Sequence, residues 1–416
     1  MTILHAEDAL SLLRQGKSAW NNWVLKNRRA SISFRNFDFS TLEEKEIDFK
    51  HLTFPQGELD FSGANFSDKI INFYSSKLHC KKISFFRCQT DGILIFLMSR
   101  IRTEKMEFSF LNSCGQIIFL DASVEVSHLD FSKSKLDSST LFLWGVDLSK
   151  CFIDLRDSTI KNSEVTLEHA SLSSIAFDGA KMSASSLNFK ASTSSQHVSL
   201  SDISVEEPLK QLSFRHAFIE KGLEITSPDN LGLVPDFVGS KIEGNFVFNH
   251  ENLKLEREKK FLFSVAKNRS DGERLCRLKE VSESNKDHKL SLKLFQMEMQ
   301  ARRWQDKKIL SGLLDATYDT VSDYGQSIIK PVTILSFLIL IHSFYLTSFN
   351  LENIDNAALL SISKAVPFVS GAKDTVDYIS PLFQGKTNNF VSIIYSILCY
   401  GSLFLIGLGI RNRFRL

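Results

Sequence analysis

Pairs of apolar residues separated by a single position recur about every twelve residues from Ile47 to Ile225. Residues i and i+2 of a β-strand point to the same side, so both members of each pair can face a common interior. A short repeat of this kind is typical of a solenoid, in which each unit buries its apolar face only by stacking on its neighbours. The position inside the pair is often polar and is expected to face outward, as at Asp48, Asp60, Asn72, Ser84, Asp130, Asp154, Thr166 and Asn188. The alternation predicts a parallel β-solenoid over residues 31–250.

Two long apolar stretches lie near the C-terminus, at residues 332–349 and 390–410, and neither contains Asp, Glu, Lys or Arg. A helix needs about 20 predominantly apolar residues to cross a bilayer. The pattern therefore predicts a transmembrane hairpin over residues 331–416, with spans at about 331–349 and 390–410. Between the spans, the segment from Ala357 to Ala365, followed by Pro367, predicts a short helix and a turn.

The remaining segments show helical spacing of their apolar residues. Leu10, Leu13, Trp20 and Trp23 predict a helix within residues 1–30 that caps the open first coil of the solenoid. Residues 251–330 combine apolar faces with dense charge and predict an α-helical linker between the solenoid and the membrane.

Charge and cysteine usage narrow the possible functions. Residues 31–250 carry 22 Lys and Arg against 29 Asp and Glu, a net charge of −7, whereas both ends of the chain are basic. This balance argues against broad nucleic-acid binding by the solenoid and against mimicry of DNA. The six cysteines have no zinc-like spacing and are expected to be buried thiols in a reducing compartment. The N-terminus does not resemble a secretory signal, so membrane insertion is expected to depend on the hairpin.

The basic residues around the apolar stretches predict the topology. Lys330 precedes the first stretch and Arg411 and Arg413 follow the second, which places both termini and the solenoid in the cytoplasm by the positive-inside rule. A further basic cluster is a candidate for contact with an anion or with lipid, although topology alone accounts for it: Arg302, Arg303, Lys307 and Lys308.

Polar residues within the spans are candidates for a pore or gate. A histidine at membrane depth is costly unless it faces protein or water. The alternative is that Ser and Thr bond to their own helix and the histidine only packs. The pore or gate candidates are Thr333, Ser336, His342, Ser343 and Thr347. A stripe of small residues in the second span is expected to pack against another helix and consists of Ser392, Ser396, Cys399 and Gly407.

Three carboxylates precede the first span at a spacing of four residues, at Asp315, Asp319 and Asp323. This spacing places them on one helix face, and in a ring of subunits they would form a cation-attracting cytoplasmic mouth. An ordinary solvated helix face is the alternative.

Several segments resemble known families. The stretch from Leu12 to Trp23 resembles the lead-in of pentapeptide-repeat proteins, and the stretches from Asp60 to Phe66, His169 to Leu172 and Phe177 to Met182 resemble their repeats. The resemblance implies a right-handed β-helix, although the period of about twelve departs from that family and gives coils of about 24 residues, about eight in all. The segments from Ser322 to Ser327 and from Leu408 to Phe414 resemble parts of pentapeptide-repeat membrane proteins.

The chain lacks the metalloprotease, P-loop, dinucleotide-binding and nucleophile-elbow motifs, so we expect no enzyme activity, no cofactor and no metal. The order of span, short helix and span resembles two-helix channels, but the potassium-filter sequence is missing. The layout also resembles membrane effectors of bacterial anti-phage systems, Hailong-type effectors among them. This resemblance implies a bacterial inner membrane and control of permeability by a nucleotide or oligonucleotide ligand.

Two hypotheses follow from the sequence. In the first, the chain is an oligomeric membrane effector that forms an ion-conducting channel gated by its solenoid and helical region. Two spans cannot enclose a pore, so this hypothesis requires a homo-oligomer of about four or more copies. In the second, the chain is a membrane-anchored scaffold whose solenoid binds a protein partner or regulator.

Overall fold

The computed structural model describes residues 2–249, 253, 255–260, 263–305, 309–347, 353–366, 368, 370–383 and 389–414. The chain forms two compact units. The first contains residues 1–258 and 266–290, and the second contains residues 259–265 and 291–416.

The first unit is a β-solenoid of about nine turns, which confirms the predicted solenoid. Its strands pair in parallel along three walls, and successive partners such as Ile71, Leu94, Ile117 and Leu141 lie one turn apart. Two apolar pairs therefore make one turn, as the twelve-residue repeat predicts. The turn count exceeds the predicted eight because strands at Ile32 and Phe246 lie outside the counted repeats.

The first wall has 15 strands. They are Ile3–His5, Ser31–Ser33, Glu58–Asp60, Lys77–His79, Lys82–Ser84, Arg100–Glu107, Ser123–Asp130, Asp147–Asp154, Ser171–Ala176, Thr193–Ser194, His197–Leu200, Phe218–Ile219, Gly222–Ile225, Lys241–Ile242 and Asn245–Phe248. The second wall has eight: Glu46–Asp48, Ile70–Asn72, Ile93–Ile95, Gln116–Ile118, Thr140–Phe142, Glu164–Thr166, Ser186–Asn188 and Gln211–Ser213. The third has seven: Asn65–Ser67, Gln89–Thr90, Asn112–Ser113, Lys135–Asp137, Thr159–Lys161, Lys181–Ser183 and Ser204–Glu207.

Stacked phenylalanines fill the solenoid interior. Phe61, Phe85, Phe108 and Phe131 form one column, with ring centroids 4.6 to 4.9 Å apart and nearly parallel planes. All four side chains are fully buried. Stacking of this kind adds to the hydrophobic stabilisation from area burial. The aromatic columns therefore hold successive turns in register.

The polar residue inside each apolar pair has a structural role at the corners. The carboxylate of Asp60 accepts a hydrogen bond from the backbone N–H of Ser62 at 2.8 Å, and that of Asp130 accepts one from Ser132 at 3.0 Å. Asp and Asn side chains form such turns readily. Asp130 and Asp154 are also buried, whereas the sequence predicted outward, solvated positions for them. Neighbouring side chains cover them, because the next turn lies only about 4.8 Å away.

The N-terminal cap differs in detail from the single predicted helix. A strand, Ile3–His5, precedes two helices, α1 (Ala6–Arg14) and α2 (Lys17–Lys26), which Gly16 separates at a φ of 96°. Trp20 of α2 is fully buried against Phe49 and Phe54, with ring centroids 6.1 and 5.5 Å away. The helix thus covers Phe49, the first ring of a second column that continues with Phe73 at 5.0 Å.

The segment predicted as an all-helical linker is divided between the two units and is not entirely helical. It contains the strands Arg257–Lys260 and Phe263–Ala266 and the helices α3 (Asp271–Ser284), α4 (His288–Arg302) and α5 (Ile309–Ser322). Helix α3 packs on the end of the solenoid, where Arg277 donates a hydrogen bond to the carbonyl oxygen of Ser240. The first of these strands contains only charged residues, so no alternation of apolar and polar residues indicated it in the sequence.

The second unit contains the helices α6 (Ile329–Thr347), α7 (Ile354–Ala365), α8 (Ala372–Ile379) and α9 (Asn389–Phe414). Short 3₁₀ turns occur at Phe39–Thr41 in the first unit and Ser380–Phe383 in the second. Helices α6 and α9 are long and apolar enough to cross a membrane. Helix α7 confirms the short helix predicted between the two apolar stretches.

Candidate functional site

Helix α7 lies against both apolar helices. Its residue Leu360 belongs to one buried cluster with Leu346, near the C-terminal end of α6. Its last residue, Ala365, belongs to another cluster with Cys399 of α9, against which Leu335 of α6 also packs. From the start of α7 to its end, the neighbouring residues on α6 therefore change from the C-terminal end of α6 to its middle. Helix α7 packs alongside both helices and does not lie across their ends, and α6 and α9 also contact each other directly through His342 and Tyr395.

A buried polar cluster links these three helices. Nδ1 of His342 lies 2.8 Å from Oγ of Ser361, and the hydroxyl of Tyr395 donates a hydrogen bond of 2.9 Å to the carbonyl oxygen of Ser361. Oγ of Ser343 lies 3.2 Å from the same Ser361 hydroxyl. His342 is 3% exposed, and its Nε2 has no hydrogen-bond partner among the described residues. Buried polar atoms normally have partners, so this cluster stands out from ordinary packing.

The structure separates the predicted pore or gate residues into two groups. His342, Ser343 and Thr347 are buried, and the first two meet at Ser361. Thr333 and Ser336 are exposed on α6, where their hydroxyls donate to the carbonyl oxygens of Lys330 and Val332. Thr347 similarly bonds to the backbone of its own helix. The sequence did not identify Ser361 or Tyr395, because a lone Ser or Tyr in an apolar helix has no distinctive pattern.

The predicted packing stripe of α9 is partly correct. Cys399 is fully buried, and Ser392 accepts a hydrogen bond of 3.3 Å from Nζ of Lys364. Ser396 is only half-buried. Gly407 is exposed, and a Cβ there would have no atom of the chain within 4 Å, so it makes no close helix contact. Gly409 has that role instead, because a Cβ there would lie 3.0 Å from Ile328.

One residue of the predicted basic cluster, Arg303, pairs with two of the three predicted carboxylates, Asp315 and Asp319. The guanidinium of Arg303 contacts Asp315 at 2.5 Å, Asp319 at 2.7 Å and the hydroxyl of Tyr324 at 2.6 Å. Burial by itself lowers the pKa of Arg303, but the hydrogen bonds to Asp319, Tyr324 and Asp315 outweigh it and raise this pKa above its ordinary value. Burial raises the pKa of the Tyr324 hydroxyl, which donates to Asp315. We call these four residues the Arg303 cluster.

The other members of these clusters lie elsewhere. Asp323 follows the end of α5, with a φ of 48°, and its carboxylate contacts Nζ of Lys330 at 2.5 Å. The three carboxylates therefore do not share one helix face, because the helix ends before the third. Arg302 contacts Glu298 of its own helix at 3.0 Å. Lys307 and Lys308 lie outside the described residues.

A left-handed turn joins α5 to α6. Asp323, Tyr324 and Gly325 all have positive φ, at 48°, 54° and 76°. Such a conformation is strained for residues other than glycine, so the surrounding contacts must enforce it. The amide of Asn412 in α9 donates a hydrogen bond of 3.0 Å to the carbonyl oxygen of Gly325, and a Cβ on Gly325 would lie 2.5 Å from Leu408. The two segments that resemble pentapeptide-repeat membrane proteins thus contact each other.

A possible metal-ligand set occurs on the first wall of the solenoid. Ligand atoms of His128, Asp130 and Asp154 lie within 4.8 Å of one another. However, Asp130 is already paired with Lys105 at 2.7 Å, and Asp154 with Arg156 at 2.6 Å. The two cations neutralise the carboxylates that a metal would need, so this arrangement is an ion-pair ladder between turns.

Comparison with known proteins does not assign a function to these residues. No protein-family model matches the chain, and no curated protein matches it significantly in sequence. The function is therefore argued from the residues described above.

Proposed function

We propose that this protein is an oligomeric membrane effector. In this proposal, α6 and α9 span the bacterial inner membrane, and they form an ion-conducting path together with α7. The solenoid lies in the cytoplasm and controls the path in response to a nucleotide, an oligonucleotide or a protein regulator. The architectural resemblance to anti-phage membrane effectors supports a role in anti-phage defence.

The observation that carries the proposal is the position of α7 against both apolar helices. A simple membrane tether needs only two spans and a solvated loop. Here the chain returns between the spans to the middle of α6, and polar contacts of His342, Ser361 and Tyr395 fix it there. Non-helical backbone and polar groups at membrane depth are tolerated where they are buried in protein or line a water-filled cavity. A short helix that packs against two spans at this depth is suited to lining such a path.

The exposed apolar surface supports assembly in the membrane. Phe337 and Leu340 of α6 and Phe390 and Phe404 of α9 are each more than half exposed in the single chain. Large exposed apolar surfaces normally indicate contact with lipid or with another protein. Because two spans cannot enclose a pore, the conducting form requires about four or more copies.

The left-handed turn supports a gating role for the region before the first span. The chain passes from the first unit to the second along α4, and Arg303 is the first residue after this helix. The Arg303 cluster fixes α5 and Tyr324, and the next residue, Gly325, contacts α9. A displacement of α4 would therefore act on both spans through one turn.

The charge pattern supports the proposed orientation. Lys330 lies at the start of α6, and Arg411 and Arg413 lie at the end of α9. Positive residues at these ends favour a cytoplasmic location for both termini. The stacked parallel walls and the resemblance of the repeats support membership of the pentapeptide-repeat class with a right-handed coil.

The test is the membrane potential of bacteria after induced expression of the full chain. We expect the intact chain to depolarise the membrane, and Ser361→Ala and His342→Ala to change the depolarisation several-fold. Ser336→Ala is the matched control, because its exposed hydroxyl bonds only to its own helix. An intact chain and a Tyr324→Phe variant, in which the Arg303 cluster is weakened, that both reach the membrane without depolarising it would contradict the channel. That result would favour a membrane-anchored scaffold whose solenoid binds a protein partner.

A further inference from the structure

A lysine side chain is half-buried among the apolar helices of the second unit. Lys364 lies in the last turn of α7, three residues after Ser361 and next to Ala365, which packs against Cys399. Its Nζ donates a hydrogen bond of 3.3 Å to Oγ of Ser392. Within the part of the chain that the structure describes, no carboxylate lies within ion-pair distance of this ammonium group.

An ammonium group without a counter-charge is unfavourable in such a place. Removing a charge from water is costly, and an opposite charge normally offsets this cost. Ionisable residues within membrane-spanning regions usually mark ion or substrate paths. The negative end of the α7 dipole amounts to only about half a charge, which is less than the full charge of the lysine. The region around Ser392 is therefore net positive, and the Ser392 hydroxyl, which accepts from Lys364, can donate a hydrogen bond to an anion.

The cytoplasmic side of the unit has no free ring of carboxylates among the described residues. Asp315 and Asp319 are both bound to Arg303, and Asp323 is bound to Lys330. Exposed arginines at the end of α9 add positive charge at this side. The carboxylates of Asp355, Asp374 and Asp377 are exposed on the other side, where solvent and salt screen them. The Arg303 cluster keeps one net negative charge, because one guanidinium faces two carboxylates. Among the described residues of α6 to α9, Lys364 is the half-buried charged group without an ion-pair partner.

We infer that the path conducts small monovalent anions such as chloride, and that Lys364 is the residue that selects them. A fixed positive charge in a low-dielectric region attracts an anion and repels a cation far more strongly than the same charge in water. This inference rests on the proposed channel function and specifies which ions the channel carries.

The experiment is the reversal potential of the purified full chain in planar bilayers that separate unequal concentrations of KCl. We expect a chloride-over-potassium preference in the intact chain. Lys364→Met keeps the length and apolar stem of the side chain and should reduce the permeability ratio by roughly tenfold, as expected for loss of a unit charge at a weakly screened site. Lys364→Glu should reverse the preference. Lys373→Met is the matched control, because Lys373 is an exposed lysine on α8.

The outcomes separate the two proposals. A current that prefers potassium, or a chloride preference that Lys364→Met leaves unchanged, would overturn the inference while leaving the channel intact. The absence of current from both the intact chain and a Tyr324→Phe variant with a weakened Arg303 cluster would overturn the channel and the inference together. If Lys364→Met does not fold, Lys364→Gln and Lys364→Arg provide the comparison, and the arginine variant should keep the preference.

Discussion

The imidazole ring of His342 lies flat on the phenol ring of Tyr395, with ring centroids 3.9 Å apart and planes 9° from parallel. These residues belong to α6 and α9, and both also bond to Ser361 of α7. One stacked pair therefore connects the two apolar helices, and one serine attaches the third helix to the pair. The position of α7 therefore depends on these polar contacts as well as on the apolar clusters around Leu360 and Ala365.

The Tyr395 hydroxyl offers a test of this attachment. Tyr395→Phe keeps the stacked ring and removes one buried hydrogen bond, so we expect the free energy of unfolding of the second unit to fall by about 1 kcal/mol. His342→Ala also leaves a cavity and should lower it by about 2–4 kcal/mol. Thermal unfolding of the detergent-solubilised full chain measures both changes. Equal stability of the two variants would show that the stack contributes little.

Two adjacent arginines allow a controlled test of the Arg303 cluster. Arg303→Met leaves Asp315 and Asp319 without their shared cation, and their side chains are only 13% and 18% exposed, so we expect a loss of about 3 kcal/mol. Arg302→Met removes a single ion pair, in which Glu298 is 9% exposed but the arginine is 53% exposed, so we expect a smaller loss of about 1–2 kcal/mol. Chemical denaturation of the two variants provides the comparison. Similar losses in both would mean that the cluster does not fix α5.

The aromatic columns predict that the loss of solenoid stability depends on the size of the residue that replaces a stacked phenylalanine. Phe108 stacks on Phe85 and Phe131, and Leu143 and Leu155 occupy comparable interior positions in later turns. Phe108→Leu should therefore lower the free energy of unfolding by only about 1 kcal/mol, because the interior accepts this shape elsewhere. Phe108→Ala should lower it by about 4 kcal/mol through the cavity that it creates. Circular dichroism during urea unfolding measures both values, and a mild effect of the alanine variant would contradict tight stacking.

Two ion pairs on the first wall, Lys105 with Asp130 at 2.7 Å and Lys82 with Glu107 at 2.5 Å, predict how solenoid stability depends on pH. Burial acts to raise the pKa of Asp130 and Glu107, but hydrogen bonds from Lys105 to Asp130 and from Lys82 to Glu107 outweigh it, so both pKa values are lowered. A carboxyl group with a lowered folded pKa contributes stability above its unfolded pKa of about 4, and this contribution is lost as the pH falls through the folded value. The solenoid should therefore lose stability below about pH 4.

The variant Lys105→Met tests the source of this dependence. It should be less stable than the intact chain at neutral pH, by about 1–2 kcal/mol, because Asp130 loses its cation. Its stability should fall less on acidification, since the pKa of Asp130 then lies nearer its ordinary value. Urea unfolding at neutral and acid pH measures how the free energy of unfolding changes with pH in the variant and in the intact chain. Parallel slopes for the variant and the intact chain would exclude this pair as the cause.

The sequence predicted the larger features because each depends on local order. Ile71 and Phe73 alternate with polar residues, and only a strand places both on one side, so the β-solenoid follows from the pattern itself. The absence of charged residues over a sufficient length likewise identifies α6 and α9 without any knowledge of their neighbours. The turn count and the extent of the cap were less accurate, because irregular end turns interrupt the repeat.

The contacts at the candidate site could not be predicted from the sequence, because helix packing decides which residues of a helix contact its neighbours. The spacing of Gly407 suits a packing stripe as well as that of Gly409 does, yet the rotation of α9 about its axis brings only Gly409 against Ile328. The same rotation brings Tyr395 to His342, and the end of α5 at Ser322 separates Asp323 from Asp319. Sequence alone thus determined that this chain has a solenoid and two apolar helices. Only the packing of the helices determined which polar groups are buried together, because residues far apart in the chain supply those contacts.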